Sequence, residues 1–412
     1  MHSDKGSCLT STLEVPLSKP DITEREVKYV TQVLRTGTLC LGPRLREFEE
    51  KFAAYVETRF AIATNSGTSA LHLCVRALGI GPGDEAITTS FSFVASANCL
   101  LYERARPVFV DIDPVTLNID PEKIRGFLEK RCKRDPQTGL PVDRQTGRTV
   151  KAILPVHVFG LPCDMGSILE LAREFNLDII EDACEALGAE YKGRRVGTFG
   201  HVAAFAFYPN KQMTTAEGGM IVTNDEQLAR LCRSMRNQGR DEDSTWLQHV
   251  RLGYNYRLSD LHCVLGLAQL ERIEELLIAR ENVARAYDSA LAGNALLTLL
   301  RTPAGSKRSW FVYVVQINGS PPLRDRILAC LRRHGIGCQA YFPAIHRQPY
   351  FRDSDLKCQE PLPWTERAAD RCLALPFFSR ISRKQIQLVC DTLLNTIEED
   401  SAVHLSESAA AR

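Results

Sequence analysis

The stretch FAIATNSGTSALHLCVRALG (residues 60–79) changes character in mid-course. Phe60–Thr64 is a short apolar run, NSGTS interrupts it, and Ala70, Leu71, Leu73, Cys74, Ala77 and Leu78 then recur at helical spacing. A strand, a glycine-containing turn and a helix in succession are the repeating unit of an α/β protein. Similar short apolar runs return at 85–89, 107–112, 151–156, 177–181, 202–207 and 220–223, with helical stretches between them. The rhythm predicts an α/β fold with a largely parallel sheet.

From Asp260 the pattern DLHCVLGLAQLERIEELLIARENVARAYDSAL is amphipathic throughout and predicts a helix that bridges to a second, smaller unit, with a boundary near 270–285. Beyond it the chain alternates again, at 310–317, 323–337 and 375–378, as an α+β module does. The division expected is a tail at 1–12, a large domain over 13–275, a small C-terminal α+β domain over 276–400, and a frayed tail at 401–412. The stretch 131–148, RCKRDPQTGLPVDRQTGR, is polar and rich in turn residues, and reads as a surface excursion without chemistry.

The 412 residues are 44% hydrophobic and 25% charged, with 51 Lys and Arg against 50 Asp and Glu. A net charge of +1 gives no electrostatic support for nucleic acid or an anionic membrane as partner. The first residues, MHSDKGSCLTSTLE, hold no apolar core of a signal peptide, and no apolar run is long enough to span a bilayer, so a cytoplasmic protein is expected. The 14 cysteines are scattered singly and no CxxC occurs. They are expected to be reduced, mostly buried small hydrophobes, and no metal site is expected.

Three local features stand where open α/β sheets place their ligands, at strand ends. Asn65-Ser66-Gly67-Thr68-Ser69 joins a strand to a helix: glycine lets the backbone approach an anion, hydroxyls surround it, and the helix N-terminus offers unpaired N–H groups. The same residues also make an ordinary Ser/Thr helix cap. IIEDACE (179–185) is an apolar strand that ends in acids, where Asp182 suits a metal ligand, a general base, the counter-ion of a protonated heterocycle or a helix cap. FAFYPNKQMTTAEGG (205–219) puts one lysine, Lys211, between an aromatic strand and a Gly-Gly turn. A lone lysine is usually solvated, but one held among aromatics loses solvation, and its amine becomes a nucleophile toward carbonyls. An anion cradle, an acid for a ring nitrogen and an amine for an aldehyde together fit pyridoxal phosphate.

These blocks, with GTLCLGPRLREFEEKFAAYV (37–56), SFSFVASAN (90–98), LPVHVFGLPCDM (154–165), LGYNYRLSDLHCVLGLAQL (252–270) and YFPAIHRQPYF (341–351), make the chain resemble the DegT/DnrJ/EryC1/StrS sugar aminotransferases over about 15–393. The resemblance implies a fold-type I pyridoxal phosphate enzyme, its large domain built on a mostly parallel seven-stranded sheet flanked by helices. It implies that Lys211 forms the Schiff base, that Asp182 pairs with the pyridinium nitrogen, and that Gly67, Thr68 and Ser69 hold the phosphate. It also implies that Phe93 covers the cofactor face, that Glu185 lies near the ring hydroxyl, that Asn255 reaches the cofactor phosphate of a neighbouring subunit, and that His346 lies near the sugar. Ala206 departs from the pattern, since many relatives carry a phosphate-contacting serine there.

The activity so implied is transfer of an amino group from an amino acid, first of all L-glutamate, to a nucleotide-diphosphate-linked keto sugar, with a 4-keto-6-deoxy hexose as first choice. A 3-keto sugar or a 4-keto pentose is the alternative acceptor. The resemblance further implies a homodimer with shared sites. Rival readings on the same scaffold are a sugar dehydratase, in which histidine typically replaces the lysine, an aminohydroxybenzoate-type synthase, and a non-catalytic regulator. Position 211 is lysine, and no histidine occurs within 205–225.

Overall fold

The computed structural model describes residues 15–241, 243, 245–319, 321–353, 356 and 360–410, so the tail expected at 1–12 lies outside the described residues. The first part of the chain carries β1 (Phe60–Thr64), β2 (Asp84–Thr89), β3 (Arg106–Val110), β4 (Cys132–Arg134), β5 (Pro141–Asp143), β6 (Thr149–Leu154) and β7 (Asp178–Asp182). A small hairpin, β8 (Glu190–Tyr191) and β9 (Arg194–Arg195), precedes β10 (Val202–Ala206) and β11 (Gly219–Thr223). In space the main order is β1-β11-β10-β7-β6-β2-β3. From β10 to β3 every pairing is parallel, and β11 is antiparallel to both its neighbours. Helices on both faces bury these strands, which is why they read as near-continuous apolar runs rather than as alternating ones.

The stretch 131–148 is more ordered than its composition suggests. Cys132 pairs with Asp143 and Arg134 with Pro141, and Val142 opposite Thr149 joins this hairpin to β6, which widens the sheet to nine strands. Its two turns, DPQTG and DRQTG, fold alike. Asp135 and Asp143 accept from the amides of Gln137 and Gln145, and Gly139 and Gly147 both take positive φ, at 73° and 69°. Asp143 is buried and paired with Arg131 at 2.9 Å. Strands of three residues are too short to show a period, so only the turn signals were visible.

The amphipathic pattern from Asp260 forms two helices, Asp260–Leu270 and Ile273–Leu291, instead of one. The break falls at Arg272, whose guanidinium is drawn down to Asp21 at 2.8 Å and Glu26 at 2.9 Å, while Gln269 also donates to Glu26. The second helix leads to an antiparallel sheet. Its strands are β12 (Leu297–Leu299), β14 (Tyr313–Ile317), β15 (Gln339–Ala340) and β16 (Cys372–Leu375), in the order β12-β14-β16-β15, while β13 (Ser306–Lys307) pairs back onto β8. Tyr287, Tyr313, Leu331, Leu373, Phe377 and Val389 form the core between this sheet and the helices Pro321–Arg333 and Arg383–Ala410. The tail expected at 401–412 is helical backbone through Ala410.

Two stretches cross the boundary drawn at 275/276. Val15 bridges to Ile336, and Ile345, Phe351 and Leu362 pack with Ala97 and Phe109 of the large domain. Part of the C-terminal sequence therefore walls the large domain at the end where the parallel strands finish.

Burial alone would raise the carboxyls of Asp21 and Glu26. Hydrogen bonds from Arg380 and Arg272 to Asp21, and from Thr23 and Gln269 to Glu26, outweigh it and hold both below their usual values. A carboxylate with a depressed folded pKa contributes stability above its unfolded pKa that is lost as pH falls through the folded one. Arg272→Met is expected to cost about 3–5 kcal/mol in urea denaturation at neutral pH, by leaving buried Glu26 without its cation and Asp21 with Arg380 alone. The loss should shrink as pH falls through the carboxylate range, and a loss independent of pH would contradict the ion cluster.

Candidate functional site

Three strands of the large sheet end at one place, and each delivers a polar group there. After β1, Ser66 caps the helix Gly67–Ala77, its Oγ accepting from the Ser69 amide at 3.0 Å. The Ser69 hydroxyl donates to Asn65 Oδ1 at 2.7 Å, so it is spent inside the turn. Ser66, Gly67 and Thr68, and not Ser69, line the cavity that opens above the turn. Gly67 is forced by proximity: a Cβ there would lie 2.6 Å from the Ala206 Cβ and 3.1 Å from the Cys184 Sγ. Ala206, where many relatives were expected to carry serine, is the methyl that closes this floor.

Asp182 ends β7 and is 4% exposed. Its Oδ2 accepts from the Ser96 hydroxyl at 2.7 Å and its Oδ1 from the Cys184 amide at 3.1 Å. Ser96 is itself braced by Ser92 at 2.8 Å. Three residues on, Glu185 is equally buried; its Oε2 accepts from the Phe159 amide at 2.9 Å, and its Oε1 stands 3.8 Å from the Lys211 ammonium. Burial pushes the Glu185 carboxyl up to about 7, against the pull of Lys211.

Lys211 follows β10 in a turn closed by its amide donating to the Tyr208 carbonyl at 2.9 Å. Its Nζ lies 4.1 Å from the centroid of the Phe311 ring, a cation–π contact in a poorly hydrated position. Lys211, Asp182, Glu185, Gly67 and Thr68 all face one cavity of about 460 Å³, and Phe93 and Tyr341 stand at its rim. Ser92, Phe93 and Tyr341 also border an adjoining hollow of about 900 Å³ that runs past Tyr102 toward Tyr350.

Besides Ser69, two further expected site residues are not brought into this cavity. Asn255 is exposed on the turn beside it; its backbone pairs with Asn237 and its carbonyl accepts from Asn65 at 3.5 Å. His346 is held between Ser90, at 2.7 Å from Nδ1, and Glu366, at 3.2 Å from Nε2, with its side chain 11% exposed. Its ring ties the chain returning from the small domain to the end of β2, and it does not face the cavity. Conversely, Ser96 and Phe311 belong to the site although neither was singled out in the sequence, and Ser66, marked there only as part of the turn, takes the place expected of Ser69. Ser96 lay inside the SFSFVASAN block but had no visible partner before Asp182 came within reach. Among the described residues no group of three or more His, Cys, Asp or Glu is arranged to hold a metal ion, and no helix is long and apolar enough to cross a membrane.

A model of the DegT/DnrJ/EryC1/StrS aminotransferase family matches residues 20–394. GDP-perosamine synthase of Caulobacter vibrioides is 39% identical over 353 residues, covering 84% of this chain and 90% of that protein. Among solved structures, S. venezuelae DesV in complex with a ketimine intermediate superposes with a TM-score of 0.81 at 32% identity, covering 92% of this chain and 97% of that one. A 3-amino-5-hydroxybenzoic acid synthase superposes with a TM-score of 0.83 at 25% identity, covering 94% of this chain and 100% of that one.

The site has a pH signature of its own. An unfolded glutamate titrates near 4.5 and folded Glu185 at about 7, so the stability that its neutral form contributes is complete below 4.5 and is lost as pH rises to 7. Glu185→Gln cannot ionise. The stability of this variant relative to wild type should therefore grow across that window, by up to about 3 kcal/mol. Urea denaturation of both proteins at the two ends of the window measures it, and a constant difference would contradict a desolvated carboxyl at this position.

Proposed function

The chain belongs to the DegT/DnrJ/EryC1/StrS aminotransferase family, and from that premise we propose that it moves an amino group from L-glutamate to a nucleotide-diphosphate-linked 4-keto-6-deoxy hexose. The observation that carries the reading is the meeting of a lysine amine, two buried acids and a glycine-floored helix N-terminus in one cavity. The residues present fit pyridoxal phosphate, the cofactor that the family implies. The Gly67 floor leaves room where any side chain would collide, and Asp182 is oriented by Ser96 and the Cys184 amide before any ligand arrives.

When bound, pyridoxal phosphate supplies an aldehyde and a ring that takes up the electron pair left when a proton leaves the amine-bearing carbon. Asp182 would keep a proton on the ring nitrogen, because a carboxylate beside it favours the charged form. The first-turn amides of Gly67 and Thr68, with the Thr68 and Ser66 hydroxyls, would hold the phosphate. Lys211 would bind the aldehyde and, once displaced by the incoming amine, would carry the proton between the amine-bearing carbon of the substrate and the aldehyde carbon of the cofactor. Glu185, with a carboxyl balanced near neutrality, would hold or release a proton beside that amine. Phe93 would cover the cofactor face, and the adjoining hollow offers room for the nucleotide-linked part of the acceptor.

The 4-keto-6-deoxy acceptor is supported by similarity to GDP-perosamine synthase. Lysine at 211 supports amino transfer over the dehydratase alternative. The likeness to 3-amino-5-hydroxybenzoic acid synthase defines the rival product class. We place the enzyme in the cytoplasm, in keeping with the unpaired state of every cysteine among the described residues.

The active form is proposed to be a homodimer. Asp260 binds the 37–44 loop to the 252–260 turn, accepting from the amides of Gly42 and Arg44 at 2.8 and 3.0 Å. This shared surface exposes Leu39, Leu41 and Leu252, which a second copy would cover, and sets Asn255 to reach the neighbouring site.

Purified protein given pyridoxal phosphate, L-glutamate and a nucleotide-linked 4-keto-6-deoxy hexose should yield the amino sugar by mass spectrometry. Lys211→Ala should yield none while remaining folded, and full turnover by that variant would overturn the assignment. Asp182→Asn should lose at least about a hundredfold in turnover, because a neutral amide no longer favours the ring cation. Equal mixing of inactive Lys211→Ala and Asn255→Ala chains, after subunit exchange, should recover about a quarter of wild-type activity: half the dimers are then mixed, each with one intact site. No recovery would argue against a site completed by the partner.

A further inference from the structure

Arg280 lies within the helix Ile273–Leu291 and is 4% exposed. Other buried guanidinium groups of this chain meet carboxylates, as Arg272 meets Asp21 and Glu26 and Arg236 meets Glu49, while Arg308 bonds the Phe159 and Arg301 carbonyls. Arg280 likewise meets backbone carbonyls. Its Nη2 donates to the Lys211 carbonyl at 2.6 Å and to the Asn210 carbonyl at 3.4 Å, and its Nη1 donates to the Phe311 carbonyl at 3.2 Å. Its Nε is buried without a partner. Burial pulls the guanidinium down to about 10, which reflects how little of its solvation is replaced. A buried charge held this way is costly, and an apolar side chain of the same length would fill the space at less cost.

The peptides that the guanidinium joins carry the two partners of the cation–π contact, the Lys211 ammonium and the Phe311 ring, 4.1 Å apart. Gln212 makes the matching connection on the other side. Its Nε2 donates to the Glu185 carbonyl at 2.6 Å and to the Ser309 carbonyl at 3.0 Å. Residues 210–212 are thus sewn to 309–311 from both flanks, and the flank beneath the amine is held by Arg280.

We infer that Arg280 is a positioning residue for the reactive amine: its planar fork fixes the Lys211 and Phe311 peptides in one register, so that the Nζ stands between the ring and Glu185 and faces the cavity. The inference deepens the proposed function and rests on it for the meaning of the amine, but the fork itself is testable without cofactor. Three consequences distinguish it from general support of the fold. The lysine loop should loosen locally when the fork is lost, amine-dependent capture of the cofactor should suffer, and binding that needs no bond to lysine should not. Lysine at 280 keeps the charge but cannot span three carbonyls, so it should restore only part.

The test compares wild type, Arg280→Met and Arg280→Lys. Hydrogen exchange of the protein without cofactor should quicken at least about tenfold in the peptide spanning 207–213 for the methionine variant, with the sheet unchanged, as expected for loss of charge-assisted hydrogen bonds. Borohydride trapping of pyridoxal phosphate on the peptide containing Lys211 should slow at least about tenfold, while the Kd for pyridoxamine phosphate, which forms no bond to lysine, stays within about threefold. Arg280→Lys should fall between wild type and Arg280→Met in both readouts, and it decides the matter alone if the methionine variant does not fold. Wild-type exchange and trapping in the variants would overturn the clamp, as would faster exchange throughout the chain with parallel loss of pyridoxamine phosphate affinity. If wild type itself traps no cofactor at Lys211, the functional reading fails, and local exchange still decides the clamp.

Discussion

Beyond the ends of β7 and β10 two buried carboxyl groups and a largely covered lysine amine stand together, and much of the architecture answers the cost of keeping them there. Isolated charges in such a place would lose several kcal/mol each of hydration. Here Asp182 receives a hydroxyl and an amide, Glu185 receives an amide and a nearby ammonium, and Lys211 receives a carboxylate and an aromatic face. Each partner comes from a different element: Ser96 from the helix after β2, Phe159 from the turn after β6, Phe311 from the approach to β14. The two acids are thus held within the first part of the chain, and the amine draws its aromatic partner from the C-terminal part.

The same constraint explains why the C-terminal part is not a simple appendage. Residues 309–311 run beside the lysine loop, Tyr341 stands at the cavity rim, and His346 bolts the returning chain to Ser90. Arg272 fastens the start of the bridging helix to Asp21 and Glu26, so the N-terminal segment, the large domain and the bridge share one buried ion cluster. A parallel sheet supplies the strand ends, and residues from the C-terminal part complete the wall beside the amine.

The strands of the large sheet were legible because burial on both faces leaves an unbroken apolar run, and the turn after β1 was legible because glycine there is forced by the Ala206 methyl. Which of two serines faces the cavity was not: Ser66 and Ser69 sit three apart in one cap, and their bonds to each other and to Asn65 decide it. The break at Arg272 could not be read locally, because its cause lies about 250 positions earlier in the chain. His346 was expected near the sugar from resemblance alone, and its partners, Ser90 and Glu366, are too distant in sequence to be read locally. The acids, the lysine and the glycine turn carried enough local character to suggest one cofactor together, but the role of each residue toward it came from resemblance. Phe311 and Arg280, which hold the amine, carried no local signal at all.

The central claim is that Lys211 and Asp182 serve a cofactor that is alternately aminated and de-aminated, and the visible spectrum of the protein loaded with pyridoxal phosphate tests it most directly. L-Glutamate should abolish the band of the lysine-bound cofactor, and a nucleotide-linked 4-keto-6-deoxy hexose added afterwards should restore it. A band that no amino acid donor alters, or protein that binds the cofactor without forming the band, would contradict the account.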